Sequence, residues 1–204
     1  MNNDWTSEEI EPIADVLNPK GRMRNQVPIP PSPHGLLPDG RVNFRGFPLN
    51  VAAAVVIESA DFTGARSPKN EYGADLLIML AGVKCTDVIF DRARVFHSID
   101  GTFDHCSFKK IGTAGCGLTG TFRDCDFSGT SFRKAHLIGN FIRCRFHDCN
   151  LRLASWGSSF SECEFAGSTI DDIFADIREI AMSAPVVTFA VVSGKVKPGE
   201  TRHY

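Results

Sequence analysis

The feature that most constrains this chain is a run of four gap-free blocks of equal length, which are residues 101–119, 120–138, 139–157 and 158–176. Aligned, the blocks place phenylalanine in two columns and cysteine in a third. The columns are Phe103, Phe122, Phe141 and Phe160; Phe108, Phe127, Phe146 and Phe165; and Cys106, Cys125, Cys144 and Cys163. A short fixed period indicates a solenoid, in which each repeat packs mainly against its neighbours.

Within a block, the large apolar residues fall five positions apart, and a small residue stands two positions before each of them. The second block shows the pattern with Phe122, Phe127, Phe132 and Leu137. An α-helix repeats every 3.6 residues and a flat strand every 2, so neither explains a step of five. A four-sided coil does explain it, because each side is then a short extended piece followed by a turn.

A small residue followed two positions later by Phe or Leu, repeated every five residues, resembles the pentapeptide-repeat family. The resemblance covers about residues 83–170 and extends more loosely back to residue 42. It implies an all-β fold, a right-handed parallel quadrilateral β-helix with the Phe or Leu side chains pointing inward. One step per block is four residues, so the coil is one residue shorter than the coil of the family. We expect the short side near Gly120 and Gly139, because glycine tolerates a tighter bend.

Two further columns carry charge and test the same alignment. One contains His105, Asp124, Arg143 and Glu162, and the other contains Ser107, Asp126, Arg145 and Glu164. Stacked coils lie about 4.8 Å apart. We therefore expect Arg143 to lie between Asp124 and Glu162, and Arg145 to lie between the two acidic residues of its own column. Such alternation indicates that the register is correct.

The sequence divides into three regions. Residues 1–40 are predicted to form a short helix and a proline-rich connector, and residues 41–170 the β-helix, with regular coils from about residue 83. Residues 171–204 are predicted to form a C-terminal capping helix, a strand and a polar tail. Residues 63–75 are predicted to be an inserted loop, since they combine Gly, Pro, Ser and charged residues.

Each end of the β-helix has its own prediction. Thr6 and Glu9 match a capping box at the start of a helix over residues 5–17. Residues 171–182 show an apolar stripe at helical spacing and are predicted to cover the open C-terminal end. Residues 186–192 are rich in Val and Phe and are predicted to form a strand, which either packs on the solenoid or pairs with a second copy. A homodimer through residues 171–192 therefore stays open.

Composition excludes several classes of function. The chain has 204 residues, a formal net charge of -2 and a pI near 6.3, so nothing favours direct binding to nucleic acid or to a membrane surface. The acidic N-terminus lacks the features of a signal peptide, and no apolar run is long enough to span a bilayer. Seven cysteines without an export signal favour reduced thiols and a cytoplasmic location.

No catalytic, metal or cofactor site is predicted. The cysteine column occupies the small inward position, where cysteine acts as a compact apolar residue, and a linear stack does not converge on one metal ion. His105, His136 and His147 are predicted to point outward, with no Ser or Cys nucleophile at a recognisable spacing. We interpret them as surface residues.

The predicted function is that of a non-enzymatic scaffold of the pentapeptide-repeat type, which binds a macromolecular partner, with a protein partner expected. Arg133, Lys134 and Arg152 lie outside the paired charge columns and form the candidate partner surface.

Two alternatives remain. Some members of the resembled family mimic duplex DNA and protect DNA gyrase from inhibitors, and the chain could also be an immunity or effector-associated protein. Mimicry requires a strongly negative rod, because DNA carries one charge per ~1.7 Å. Residues 82–176 contain 12 acidic and 11 basic residues, which counts against mimicry.

Overall fold

The structure is a computed structural model that describes residues 4–18, 27–51, 54–69, 72–73, 77–94, 96–156 and 159–169. The predicted C-terminal capping helix (171–182) and strand (186–192) lie outside the described residues. Within the described ranges there is one helix, α1 (Ser7–Leu17). The strands are β1 (Val27–Pro28), β2 (Val42–Asn43), β3 (Val55–Asp61), β4 (Ile78–Ile89), β5 (Phe96–Asp104), β6 (Thr113–Arg123), β7 (His136–Ile142), β8 (Ser155–Trp156) and β9 (Ser159–Ser161).

These strands pair in parallel and in sequence order, so the chain advances by one coil with each strand from β3 to β7. Phe103 pairs with Phe122, which pairs with Phe141, which in turn pairs with Phe160. The register is the 19-residue spacing read from the sequence, and the side-chain contacts between neighbouring coils follow it. The predicted parallel β-helix is therefore confirmed as a β-solenoid of about six turns with one short N-terminal helix.

Stacked aromatic rings form the core. The rings of Phe103, Phe122, Phe141 and Phe160 lie nearly parallel, with centroids 4.8–4.9 Å apart. A second stack runs through more coils, at 4.8–5.6 Å, and contains Phe44, Phe62, Phe90, Phe108, Phe127, Phe146 and Phe165. All of these rings are fully buried. Ring spacing equals the rise per coil, so each ring contributes both hydrophobic burial and ring stacking.

Each regular coil bends at four places, as a four-sided coil requires. Three bends place a residue in the left-handed region, with φ of 51° at Asp124, 71° at Gly129 and 62° at Lys134. The fourth bend lies inside strand β6 at Gly120, where φ is 114°. Here the strand continues through the bend without a separate turn, which explains why this side is one residue short. Gly120 therefore lies in the bend of the short side, as expected.

The N-terminal helix covers the first coil. The hydroxyl of Thr6 accepts a hydrogen bond from the Glu9 amide and the Glu9 carboxylate accepts one from the Thr6 amide, so the predicted capping box is present. Ile13 and Leu17 are buried in the main core. The ring of Trp5 stacks on the first coil, and its indole nitrogen donates to a backbone carbonyl 2.9 Å away. The helix thus shields apolar surface that an open end would expose.

Two expectations about the early chain need correction. Residues 27–28 of the predicted connector form β1 and pair with Val55 and Val56 of β3, so the solenoid begins before residue 41. Residues 63–66 are not part of a loop, because Ala65 is buried and Arg66 bridges to Pro48 of the preceding coil. The extra residues of this coil lie between Arg66 and the start of β4.

Candidate interaction surface

The cysteine column lies in the core. Cys106, Cys125, Cys144 and Cys163 are buried, and each Sγ lies 3.2–3.5 Å from the carbonyl oxygen two residues earlier. All seven cysteines are free thiols. For two others, Cys116 and Cys149, burial raises the pKa to about 12. Cys116 and Cys149 are therefore protonated, buried thiols that fill space, and they do not provide the thiolates that a metal or redox site needs.

The two charge columns form ion pairs along the solenoid. The guanidinium of Arg143 donates two hydrogen bonds to Asp124, at 2.8 and 2.6 Å. These bonds hold the pKa of that carboxyl below its usual value. Arg145 lies 3.2 Å from Glu164 and 3.6 Å from Asp126. Arg145 therefore lies between the carboxylates, as predicted, and Arg143 pairs with Asp124. These columns are largely neutralised and leave little net charge for a partner.

A small polar cluster on the same corner escaped the sequence analysis. The ligand atoms of Asp104, His105 and Asp124 lie within 4.8 Å of one another. Carboxylate and imidazole groups bind metal ions, but Arg143 already occupies both oxygens of Asp124. A cation would have to displace that guanidinium, so the cluster is better described as part of the ion-pair column.

One histidine has a hydroxyl partner that the sequence analysis did not anticipate. The Nδ1 atom of His136 lies 2.6 Å from the Oγ atom of Ser155, one coil later. Both residues are exposed. Nucleophilic catalysis also needs a group that orients the histidine, and no described carboxylate contacts this imidazole. The expectation that no serine pairs with these histidines was wrong, but the pair lacks the rest of a catalytic arrangement.

The predicted partner surface lies at one corner of the solenoid. Arg133 and Lys134 form the turn of one coil, and Arg152 and Leu153 form the same turn of the next, with the amide of Lys134 donating to the Arg152 carbonyl at 3.1 Å. All four side chains are exposed, and Leu153 keeps 43% of its surface accessible. No described carboxylate pairs with Arg133 or Lys134. We call these four residues the basic corner.

A second basic region lies beside α1 and was not recognised in the sequence. A groove of about 770 Å³ runs between the helix and the first coils. Its basic lining residues are Arg66, Lys69 and Arg94. Arg66 and Arg94 are separated by more residues than one regular period. An alignment at the period of the later coils therefore does not place them in one column. We call this region the helix groove.

Both fold and surface thus define a class: a parallel β-helix of repeated coils that presents rows of side chains. The family model described as pentapeptide repeats (8 copies) matches residues 121–155. The predicted resemblance to the pentapeptide-repeat family is therefore confirmed over this segment, and the described chain around it is a parallel β-solenoid.

Other comparisons add little. No curated protein matches the sequence. Among solved structures, a trypsin-treated variant of QnrB1, a plasmid-mediated fluoroquinolone resistance protein, is 18% identical over 70% of this chain and 73% of its own, with a TM-score of 0.18. A likeness at this level does not bear on function. In the described part of the chain, no helix has the length and apolar character needed to cross a membrane.

Proposed function

We propose that this protein is a non-enzymatic interaction scaffold and that the basic corner binds an acidic surface of a protein partner. The observation that supports this most directly is that Arg133 and Lys134 have no carboxylate partner among the described residues, whereas the columns of Arg143 and Arg145 are largely neutralised. Complementary charge at an interface speeds association and selects partners.

The chemistry of the corner favours a protein over a small ligand. Arginine is enriched in protein interfaces, and its planar guanidinium bonds carboxylates through two parallel hydrogen bonds. Leu153 of the same corner exposes 43% of its surface, which supplies apolar contact area. The stacked coils make this surface rigid, so little ordering cost accompanies binding.

Competing functions have weaker support. A pentapeptide-repeat solenoid is typically a scaffold, and the His136–Ser155 pair lacks an orienting carboxylate among the described residues. Imitation of duplex DNA needs a strongly negative rod, whereas residues 82–176 carry 12 acidic and 11 basic residues. The free thiols support our placement of the protein in a reducing compartment such as the cytoplasm.

The test is a quantitative pull-down with the tagged full-length chain, comparing the wild type with the double variant Arg133→Glu and Lys134→Glu. We expect the captured partner to be lost from the variant, and to be lost from the wild type when salt is raised, because screening weakens exposed charge pairs. Capture of gyrase subunits that survives the substitutions would instead support the topoisomerase alternative.

A matched control carries the same change in charge on other parts of the solenoid. Lys84→Glu and Lys110→Glu alter two exposed lysines that also have no carboxylate partner among the described residues. This control should capture the partner as the wild type does. Equal loss in both double variants would mean that net charge, and not the basic corner, determines capture, and the proposal would be wrong.

A further inference from the structure

The helix groove combines an apolar wall with unpaired positive charge. One side is formed by Trp5 together with Ile10 and Leu17 of α1, and the other side comes from the first coils, with Arg66, Lys69 and Arg94. We propose that this groove binds a small amphipathic organic anion, with its charged head on the basic residues and its apolar body against the helix. This site is separate from the basic corner and does not depend on it.

The basic residues carry the first part of the argument. Arg94 follows Arg66 in the same column, because the Arg94 amide donates to the carbonyl of Ala65 at 2.8 Å while the Arg66 amide donates to Phe47 one coil earlier. Like charges on adjacent coils repel one another. No described carboxylate forms an ion pair with Arg66, Lys69 or Arg94. A bound anion would relieve this repulsion.

Other arginines of the early coils do form ion pairs with carboxylates. Arg41 contacts Asp39 at 2.7 Å and Asp87 at 2.5 Å, and Arg45 contacts the buried carboxylate of Asp61 at 2.8 Å. The groove has no acidic lining residue at all among the described residues. Its positive charge is therefore available to a ligand.

The apolar side explains why the ligand should be amphipathic. Trp5 is only partly buried, although its ring packs on Phe44 and Phe47 with centroids 6.0 and 4.9 Å away. Its remaining surface and that of Ile10 face the groove. Binding pockets for small molecules are mostly apolar, with a few polar groups that fix orientation, and have volumes of roughly 300–1,000 Å³. The volume of the groove lies in this range, and half of its lining residues are apolar.

Orientation of the basic side chains is partly fixed in advance. The Nε atom of Arg66 donates to the carbonyl of Gly46 at 2.9 Å, which fixes the orientation of this guanidinium in the wall of the groove. Arg94 and Lys69 have no such bond among the described residues, and both are exposed. We expect Arg94 and Lys69 to reach the anionic head, and Arg66 to contribute mainly its charge.

Three probes with the same apolar chain and different heads test the proposal: octanoate, octanol and octylamine, titrated into the full-length protein by isothermal calorimetry. We expect saturable octanoate binding with a dissociation constant on the order of 1 mM or tighter, given the binding energy available per ligand atom. Octanol should bind at least tenfold more weakly, and octylamine should not bind, since a cation meets only positive charge in the groove.

Substitutions locate the site. Arg94→Gln combined with Lys69→Gln should weaken octanoate at least tenfold, because charge-assisted hydrogen bonds are lost. Arg92→Gln is the matched control: this exposed arginine lies two residues from Arg94 but does not line the groove, so binding should be unchanged. The indole N–H resonance of Trp5, assigned with a Trp156→Phe variant, should shift on titration.

Three results would overturn the proposal. They are no saturable octanoate binding up to about 10 mM, equal affinity for octanoate and octanol, and equal weakening by the Arg92→Gln control and by the groove variant. Unfolding of the variants is excluded by comparing their circular dichroism with that of the wild type.

Discussion

The column of glycines at the short side of the coil gives the sharpest test of the fold. Gly101, Gly120 and Gly139 pair with one another in strands β5 to β7. A Cβ added at Gly120 would overlap the carbonyl oxygen of Gly101 and come within 3.0 Å of its backbone nitrogen and carbon. The backbone of Gly120 also has φ of 114°, which side chains with L configuration rarely adopt. Gly120→Ala should therefore separate two coils.

The expected loss of stability has two sources. A residue forced into a disfavoured backbone region costs roughly 1–3 kcal/mol. An overlap with backbone atoms, which can be relieved only by moving a coil, costs roughly another 1–3 kcal/mol. Gly120→Ala should therefore lower the free energy of unfolding by about 2–6 kcal/mol, a large part of the ~5–15 kcal/mol that stabilises a typical domain.

Gly117 provides a control in the same strand. An added Cβ there meets no atom within 4 Å, and this glycine is not in the left-handed region. Alanine at this position should leave stability unchanged or raise it by up to about 1 kcal/mol, because the unfolded chain loses flexibility. The two variants have the same change in composition and differ only in what surrounds the new methyl group.

Urea denaturation followed by circular dichroism measures the difference. With a denaturant dependence of up to about 3 kcal/mol/M, Gly120→Ala should lower the midpoint by roughly 0.7 M or more, and Gly117→Ala should not lower it. Solenoids can unfold in segments, so the midpoint is read separately from the β-sheet signal and from tryptophan fluorescence. Coincident midpoints for the two variants would refute the close-approach argument and the position of the short side.

Three further predictions concern other parts of the chain. Thiol reagents should label Cys116 and Cys149 only as fast as the protein unfolds, because burial raises their pKa to about 12; rapid stoichiometric labelling of the native protein would contradict this. Because the pKa of Asp124 is lowered in the folded state, its ion pair with Arg143 stabilises the fold above about pH 4, and this stabilisation is lost as the pH falls further. Arg143→Gln should therefore weaken the pH dependence of the free energy of unfolding. The change should be less than about 1 kcal/mol, because the pair is exposed. Thr6→Ala should cost about 1 kcal/mol and speed hydrogen exchange in α1, and unchanged exchange there would count against the capping box.

Periodicity made the solenoid predictable, because the period acts on every residue of a coil at once. Once Phe103 and Phe122 are aligned, the positions of Arg143 beside Asp124 and of Gly120 in the tight bend follow from counting. The same counting applied to polar residues would have found the contact between His136 and Ser155, which are separated by one regular period. That contact was missed because only the apolar and charged columns were compared.

The early coils were harder to predict because their lengths differ. The step from Phe44 to Phe62 is shorter than the regular period and the step from Phe62 to Phe90 is much longer, yet all three rings belong to one stack. No fixed period finds such a column, so the alignment of Arg66 with Arg94 could not be derived. Nor does the sequence of α1 say where the helix packs: its capping box is local, whereas the contact of Trp5 with the first coil joins positions far apart in the chain.

A stacked architecture also separates what maintains the fold from what can bind. Side chains in one column are separated by the rise of one coil. Like charges in a column therefore repel one another, whereas alternating charges attract one another and stabilise the register. Asp126, Arg145 and Glu164 alternate and contact one another. Where basic residues without a described carboxylate partner follow one another, as Arg66 and Arg94 do in the helix groove, the repulsion is relieved if an anion binds. We therefore expect partners or ligands to bind at columns whose side chains carry charge of one sign. Charge reversal in a column of alternating charges should change the stability of the fold more than it changes binding.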